Sequence, residues 1–232
     1  MLRLLTVVFS LVVLSGCATP SLTPDIASGI ENGKLATAAY VVDKKVTYNE
    51  MVYKVLWNET RTQEAVFEGF WDIDQEYTDK LTAAASSQNL NAEPAASVVS
   101  PESYEEFEKS VFKSPQLDSE GAPVGLNLTE KFRTELTQAG YEYLMALRSS
   151  GIFVQSNAIT DTAILTIPSA IFVVDLSEDK IVHVSDFPIQ GFPEFEESVR
   201  ELEDNGLILI REATKERLDE GLQAHLESMF AE

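Results

Sequence analysis

The amino-acid sequence predicts an α/β or α+β fold in which helices pack on a single mixed, partly antiparallel sheet. Two observations carry this prediction. Apolar runs rich in Val, Ile and Tyr alternate with segments of helical spacing, and short turn segments separate several of the runs. No glycine-rich loop of the dinucleotide-binding kind follows a predicted strand. We therefore expect one acidic domain over residues 34–232, preceded by two shorter segments.

The first half of this domain is expected to combine a hairpin and a helix. Residues 35–42 and 46–57 are apolar runs separated by a short charged turn, which is the pattern of a β-hairpin. Asp72 is a candidate N-cap for a helix that ends near Ser87. Prolines and glycines punctuate residues 89–127, so we expect mostly loop there, with one short helix from Glu102 to Lys113.

The second half is expected to begin with a helix and a strand. The segment from Thr129 has helical spacing, and Gly140 is well placed to end the helix. Residues 141–148 could continue that helix, but the glycine stop and the aromatic start favour a strand. A hairpin follows over residues 171–184, with turn residues at its centre.

Two helical segments close the chain, separated by a short apolar run. The segments PEFEESVRELED and TKERLDEGLQAHLESMF both space their apolar residues as helices do. The run GLILIRE between them, residues 206–212, is expected to be a strand.

The charge balance limits the possible partners. The 232-residue chain carries 17 Lys and Arg against 38 Asp and Glu, which gives a formal net charge of −21. Removal of residues 1–16, whose only charge is Arg3, changes it to −22. Such a surface repels phosphate polymers, so we expect no nucleic-acid partner.

The amino terminus has the organisation of a secretory signal. Arg3 gives a positive start, and an apolar run from Leu4 to Leu14 follows it. Eleven helical residues span only about 17 Å, well short of a hydrocarbon core of about 30 Å. The run is therefore too short to be a stable transmembrane anchor.

The only cysteine of the chain, Cys17, follows this run directly in the segment Leu14-Ser15-Gly16-Cys17. That segment resembles the lipobox of bacterial lipoproteins, and every position of the motif matches. The resemblance implies that Cys17 takes a diacylglycerol thioether and that signal peptidase II, recognising Leu14, Ser15 and Gly16, cuts before it. It covers about twenty residues and implies nothing about the remaining domain.

The lipobox sets the expected location and the segment boundaries. Residues 1–16 are the signal peptide, and residues 17–33, rich in small polar residues, are the lipidated cysteine and a flexible tether. Two or three acyl chains make desorption negligible. Since Ala18 follows the cysteine, the class pattern implies the outer membrane, facing the periplasm, or the outer face of the plasma membrane in a monoderm organism.

The sequence offers little for catalysis. His183 and His225 are expected at the surface or a sheet edge, and no serine elbow, zinc or phosphate-loop motif occurs. Asp161 and Asp175 could in principle act as a general acid and base, but among so many carboxylates some pairs arise by chance. We therefore expect no cofactor, no metal and no enzyme activity.

The sequence leaves three functions open. The favoured one is a non-catalytic lipoprotein that binds or positions an envelope protein or glycan, in assembly or scaffolding, because a tether raises the effective concentration of partners. The second is a small-ligand or cation carrier that exploits the acidity. The third is an envelope hydrolase that uses a carboxylate pair.

Overall fold

The computed structural model describes residues 21–53, 58–66, 70–111, 116–117, 119, 123–157, 162–187, 189–191 and 199–231. The helices are α1 (Pro24–Asn32), α2 (Ile73–Ser87), α3 (Ala95–Val98), α4 (Pro101–Val111), α5 (Glu130–Gln138) and α6 (Val199–Met229). The strands are β1 (Lys34–Val41), β2 (Lys45–Tyr53), β3 (Asn58–Val66), β4 (Ala92–Pro94), β5 (Gln116–Leu117), β6 (Pro123–Gly125), β7 (Tyr141–Ser149), β8 (Ile152–Asn157), β9 (Thr162–Ile167), β10 (Ser169–Asp175), β11 (Lys180–Asp186) and β12 (Ile189–Gly191). The predicted α+β class, with helices on a mixed and partly antiparallel sheet, is confirmed.

Hydrogen bonding divides the main strands into two five-stranded sheets. Sheet A has the order β11-β10-β7-β1-β4 and sheet B the order β12-β9-β8-β2-β3, while β5 and β6 form a separate pair. The two orders correspond at four of their five positions, because β1 runs into β2, β7 into β8, β9 into β10 and β11 into β12. The prediction of a single sheet is therefore wrong, because four segments of the chain each contribute one strand to sheet A and one to sheet B. We call the level at which these segments pass from one sheet to the other the crease.

The residues at the crease explain why the strands break there. Gly151 has φ 140°, and a Cβ at this position would lie 3.1 Å from Cβ of Asp43, so the residue suits glycine alone. Pro168 has no N–H to give to a sheet, and its carbonyl accepts a hydrogen bond from Ser150 N at 2.9 Å. The charged segment after Val41 provides the third interruption.

The crease also corrects the first predicted hairpin. The strands β1 and β2 do not pair with each other; β1 pairs parallel with β7 in sheet A, and β2 pairs parallel with β8 in sheet B. The charged residues Asp43 and Lys44 have the composition of a hairpin turn, but here they connect two sheets. The part of the second run beyond Tyr53 lies outside the described residues.

Helix α2 forms beside β1 and replaces a neighbouring strand over part of that edge. Strand β4 pairs only with Leu35–Thr37. Farther along, Ala39 N donates to Thr78 Oγ1 at 2.9 Å and Val41 N donates to Asp74 Oδ1 at 3.0 Å. The two acceptors are four residues apart in the helix, a rise of about 6 Å, and the two donors are two residues apart in the strand, a rise of about 6.6 Å. The spacing of the acceptors therefore matches that of the donors. The helix therefore satisfies N–H groups that the short β4 leaves unpaired.

Two apolar clusters lie on opposite faces of sheet A. One joins sheet A and sheet B to α1, α2 and α6, and its fully buried members include Leu147, Tyr77 and Leu222. The other joins sheet A to α3, α4 and α5, where the rings of Phe107 and Phe132 stack at 4.5 Å. Sheet A is consequently the centre of the domain.

The last helix overturns the strand predicted for residues 206–212. Those residues lie within α6, and Ile210, Thr214 and Leu218 are all fully buried at helical spacing. An apolar run of this length is compatible with a strand or with a buried helix, and the buried face extending to Met229 decides for the helix. No described helix is both long and apolar enough to cross a bilayer.

The described part of the tether predicted over residues 17–33 includes a helix, while residues 17–20 lie outside the described residues. Helix α1 occupies Pro24–Asn32 and buries Ile30, and Leu22 N donates to the carbonyl of Met229 at 2.9 Å. Pro24 at the first helical position favours a helix start there. From Leu22 onward the chain belongs to the folded domain, so its boundary lies about a dozen residues before residue 34.

Several other elements match their predictions. Asp72 caps α2 through its side chain, helix α4 forms over most of 102–113, and helix α5 ends before Gly140, which has φ 88°. Residues 141–149 form the preferred strand β7, and β10 and β11 pair antiparallel as the expected hairpin.

Candidate functional site

An open cleft lies where β7 begins and β10 ends. It has a volume of about 390 Å³, which is within the usual range for ligand pockets. Its lining residues are Thr137, Gly140, Tyr141, Glu142, Tyr143, Asp175 and Ser177. They combine two tyrosines, two carboxylates and two aliphatic hydroxyls.

A bulge in β7 shapes this cleft. Lys34 pairs with Tyr141 whereas Leu35 pairs with Tyr143, so Glu142 is the extra residue of β7. A bulge re-aims side chains and is common beside functional sites. Here it turns Tyr141 toward the cluster around Phe132, while Tyr143 contacts the opposite cluster. Glu142 between them is exposed.

Asp175 is held in place by the turn that follows β10. Its Oδ1 accepts a hydrogen bond from Ser177 N at 2.8 Å and another from Ser177 Oγ at 2.6 Å. This is the usual way in which an aspartate stabilises a turn. One carboxylate oxygen is thereby committed to the backbone, and the side chain has a structural role as well as a place in the cleft.

The tyrosines of the cleft stay protonated. Burial raises the pKa of Tyr143, and the charges of Asp175 and Glu142 raise it further. Burial and a hydrogen bond to Glu93 raise the pKa of Tyr141 to about 12. Both phenols are therefore neutral at physiological pH, and the O–H of Tyr141 already donates to Glu93 Oε2 at 2.7 Å.

The cleft is suited to binding a positively charged group. A cation beside Tyr143 would meet an aromatic ring and the carboxylates of Glu142 and Asp175, which are the two kinds of group that recognise ammonium and guanidinium. The described residues contain no group of three or more His, Cys, Asp or Glu side chains placed to hold a metal ion.

Most of the site residues that the sequence predicts lie elsewhere in the chain. Cys17 and its recognition residues Leu14, Ser15 and Gly16 lie outside the described residues, as does Asp161. Asp175 lines the cleft, where its carboxylate neighbour is Glu142. Sequence reasoning missed Glu142, because the bulge that aims it depends on pairing with β1, more than a hundred residues away.

The structure also joins a serine and a histidine that the sequence analysis did not connect. Ser185 Oγ and His225 Nε2 lie 2.8 Å apart, linking β11 to α6. The residues are only 2% and 8% exposed, so the prediction of a surface or edge position for His225 is wrong. Burial lowers the pKa of His225, and the neighbouring His183 lowers it further. A substrate has no access to this pair, which therefore holds the helix to the sheet.

Comparisons with known proteins identify no family. No protein-family model and no curated protein sequence matches the chain. Among solved structures, it is similar to the PelC dodecamer from Paraburkholderia phytofirmans, with 7% identity over 93% of this chain and 94% of that chain and a TM-score of 0.43.

Two further structures are similar. The hypothetical protein CT253 from Chlamydia trachomatis has 12% identity over 86% of this chain and 98% of that chain, with a TM-score of 0.45. The LpoB C-terminal domain from Salmonella enterica has 16% identity over 68% of this chain and 83% of that chain, with a TM-score of 0.27. Likenesses at this level carry no conclusion about what the chain does.

Proposed function

We propose that this chain is a bacterial lipoprotein, anchored through Cys17, that binds a cationic group of another envelope component and performs no catalysis. The observation that carries the binding part is the cleft, which unites the ring of Tyr143 with the carboxylates of Glu142 and Asp175. The net charge of −22 on the mature chain attracts a cationic partner over a longer range. Because the anchor confines the domain to the membrane surface, a modest affinity for a partner at that surface is sufficient.

The location follows from the lipobox. We propose the outer membrane with the domain facing the periplasm, or the outer face of the plasma membrane in a monoderm organism. Mass spectrometry of the mature protein tests this directly. We expect an amino-terminal Cys17 that carries a diacylglyceryl group, and a Cys17→Ala variant that is not acylated. A bare thiol or a different amino terminus would refute the anchor.

A matched pair of variants tests the binding. The lipidated protein in phosphatidylcholine vesicles is titrated with pentalysine as the cationic probe. Glu142→Gln removes one charge from the cleft, and Glu212→Gln removes one charge from the exposed surface of α6. We expect the first variant to bind several-fold more weakly than the second. Equal losses in both variants would mean that only the overall charge attracts the probe.

A carrier of small cationic molecules is the second candidate, favoured by the volume of the cleft. In that case a free diamine such as cadaverine binds as tightly as pentalysine, and its binding is equally sensitive to Glu142→Gln. A strong preference for pentalysine would instead favour a macromolecular or surface-borne partner.

A further inference from the structure

We infer that the anchor holds the cleft against the bilayer, so that the cationic group it binds is the ammonium headgroup of a lipid in the same membrane. This inference rests on the proposed lipidation of Cys17. It adds the source of the ligand and the orientation of the domain, neither of which follows from the lipobox alone.

The tether is short. Leu22 is 7% exposed, and its N–H donates to the carbonyl of Met229 at 2.9 Å. Four residues lie between Cys17 and Leu22, and the five Cα–Cα steps that join the two positions span at most about 18 Å when fully extended. The lipid therefore holds one particular end of the domain, where α1 begins and α6 ends.

Helix α1 leads from this end directly to the cleft. Its nine residues rise about 13 Å, and a Cβ on Gly29 would lie 3.0 Å from the ring of Tyr143. The next residue but one after the helix, Lys34, donates through Nζ to the carbonyl of Ala139 at 3.1 Å, beside the cleft. The cleft is therefore within about one helix length of the anchored end.

The helix and strand directions place the start of β1 and β7 at the same end. Helix α2 runs antiparallel to β1, since Asp74 meets Val41 and Thr82 meets Thr37. It runs parallel to α6, since Glu76 pairs with Lys215 at 3.0 Å and Lys80 pairs with Asp219. Strands β1 and β7 consequently begin near the carboxyl end of α6, so the cleft at the start of β7 lies at the same end of the domain as Met229.

The part of α6 around Ile208 is far from the anchored end. Ile208 precedes Met229 by 21 residues, which corresponds to about 31 Å along a helix. The crease lies near this level, because Val41 contacts Asp74 and the neighbouring Glu76 contacts Arg211. A domain held at Leu22 thus presents the cleft to the membrane and directs Ile208 away from it.

The chemistry of the cleft selects among lipid headgroups. Its carboxylates and the net charge of −22 oppose anionic lipids. A primary ammonium donates hydrogen bonds to carboxylates, as a lysine does, whereas a quaternary ammonium relies on an aromatic cage. With one partly exposed ring and two carboxylates, the cleft is expected to prefer phosphatidylethanolamine over phosphatidylcholine.

Single-cysteine labelling tests the orientation. Because Cys17 is the only native cysteine and the proposed diacylglycerol thioether blocks its thiol, a fluorophore attaches only at an introduced thiol. Gln138→Cys places it on the exposed end of α5 beside the cleft, and Ile208→Cys places it at a side chain that is 54% exposed. In vesicles with a quencher on the headgroups, we expect several-fold stronger quenching at position 138. Equal quenching, or stronger quenching at position 208, would overturn the inference.

Lipid composition tests the ligand. We expect the label at position 138 to be quenched more in vesicles that contain phosphatidylethanolamine than in pure phosphatidylcholine, and Glu142→Gln to abolish the difference while Glu212→Gln preserves it. The same quenching in both lipids would overturn the lipid ligand. The pentalysine titration then decides separately whether the proposed cationic site survives, and mass spectrometry decides whether the anchor does.

Discussion

The two sheets share their strand order but not their surroundings. Sheet A has apolar clusters on both faces, and seven of the eight residues of β1 are buried. Among the described residues, sheet B is covered by an apolar cluster on one face, where Val154 and Leu165 are buried, while Thr62 and Gln155 are exposed on the other. A strand buried on both faces has a continuous apolar run, and a strand covered on one face alternates. The difference indicates that sheet A supplies most of the stability and that the outer face of sheet B tolerates change.

The largest expected effect comes from the second face of sheet A. Phe132→Ala removes a fully buried ring that stacks on Phe107, and a cavity of this kind costs about 3–5 kcal/mol of unfolding free energy. Phe153→Ala, at a half-buried position on sheet B, should cost about 1 kcal/mol or less. Urea unfolding measures both. Equal losses would show that the two sheets contribute alike.

The ladder between α2 and β1 gives the next largest effect. Asp74→Ala leaves Val41 N and the Lys44 ammonium without their acceptor, and we expect a loss of about 2–3 kcal/mol. Asp74→Asn keeps an oxygen for Val41 N and should cost less than half as much. The same unfolding measurement distinguishes the two variants, and similar losses would mean that the charge matters more than the backbone hydrogen bond.

The histidine beneath α6 should make stability depend on pH. Because burial lowers the pKa of His225 in the folded state, the unfolded chain takes up the proton first as the pH falls below about 6.5. The stability contribution is therefore present above that pH and is lost below it, with a slope of at most about 1.4 kcal/mol per pH unit. His225→Gln should flatten the stability profile between pH 7 and 5. Parallel profiles for the two proteins would exclude this role.

The smallest expected effect is a stabilisation by a substitution in helix α4. Burial raises the pKa of Glu108, and the charge of Asp74 raises it further. Ionised Glu108 therefore costs the folded state stability, and the cost vanishes at acid pH where the group is protonated in both states. At pH 7, Glu108→Gln should increase the free energy of unfolding by about a few tenths of a kcal/mol, because solvent screens the charge. The melting temperature should rise slightly as a result. The gain should be absent near pH 3.5.

The elements that the sequence predicts correctly are those with local signals. Asp72 caps α2 and Gly140 follows α5, and both residue types act on the adjacent turn. The β10–β11 hairpin is likewise local, since its two strands are separated only by a four-residue turn.

The missed features depend on distant parts of the chain. The run around Ile210 is a helix because its face continues to Leu218 and beyond, past polar residues that mask the repeat. Asp175 could be named from sequence, but Glu142 joins it only through the bulge opposite β1. Ser185 and His225 are 40 residues apart, and nothing in either neighbourhood points to the other.

The crease affects how the domain unfolds. Four segments of the chain, β1–β2, β7–β8, β9–β10 and β11–β12, each contribute a strand to both sheets. Unfolding of one sheet therefore disturbs segments that also belong to the other. We therefore expect the two halves to be lost in one cooperative transition. Although the two sheets have separate sets of hydrogen bonds, the continuous segments make them a single unit in unfolding.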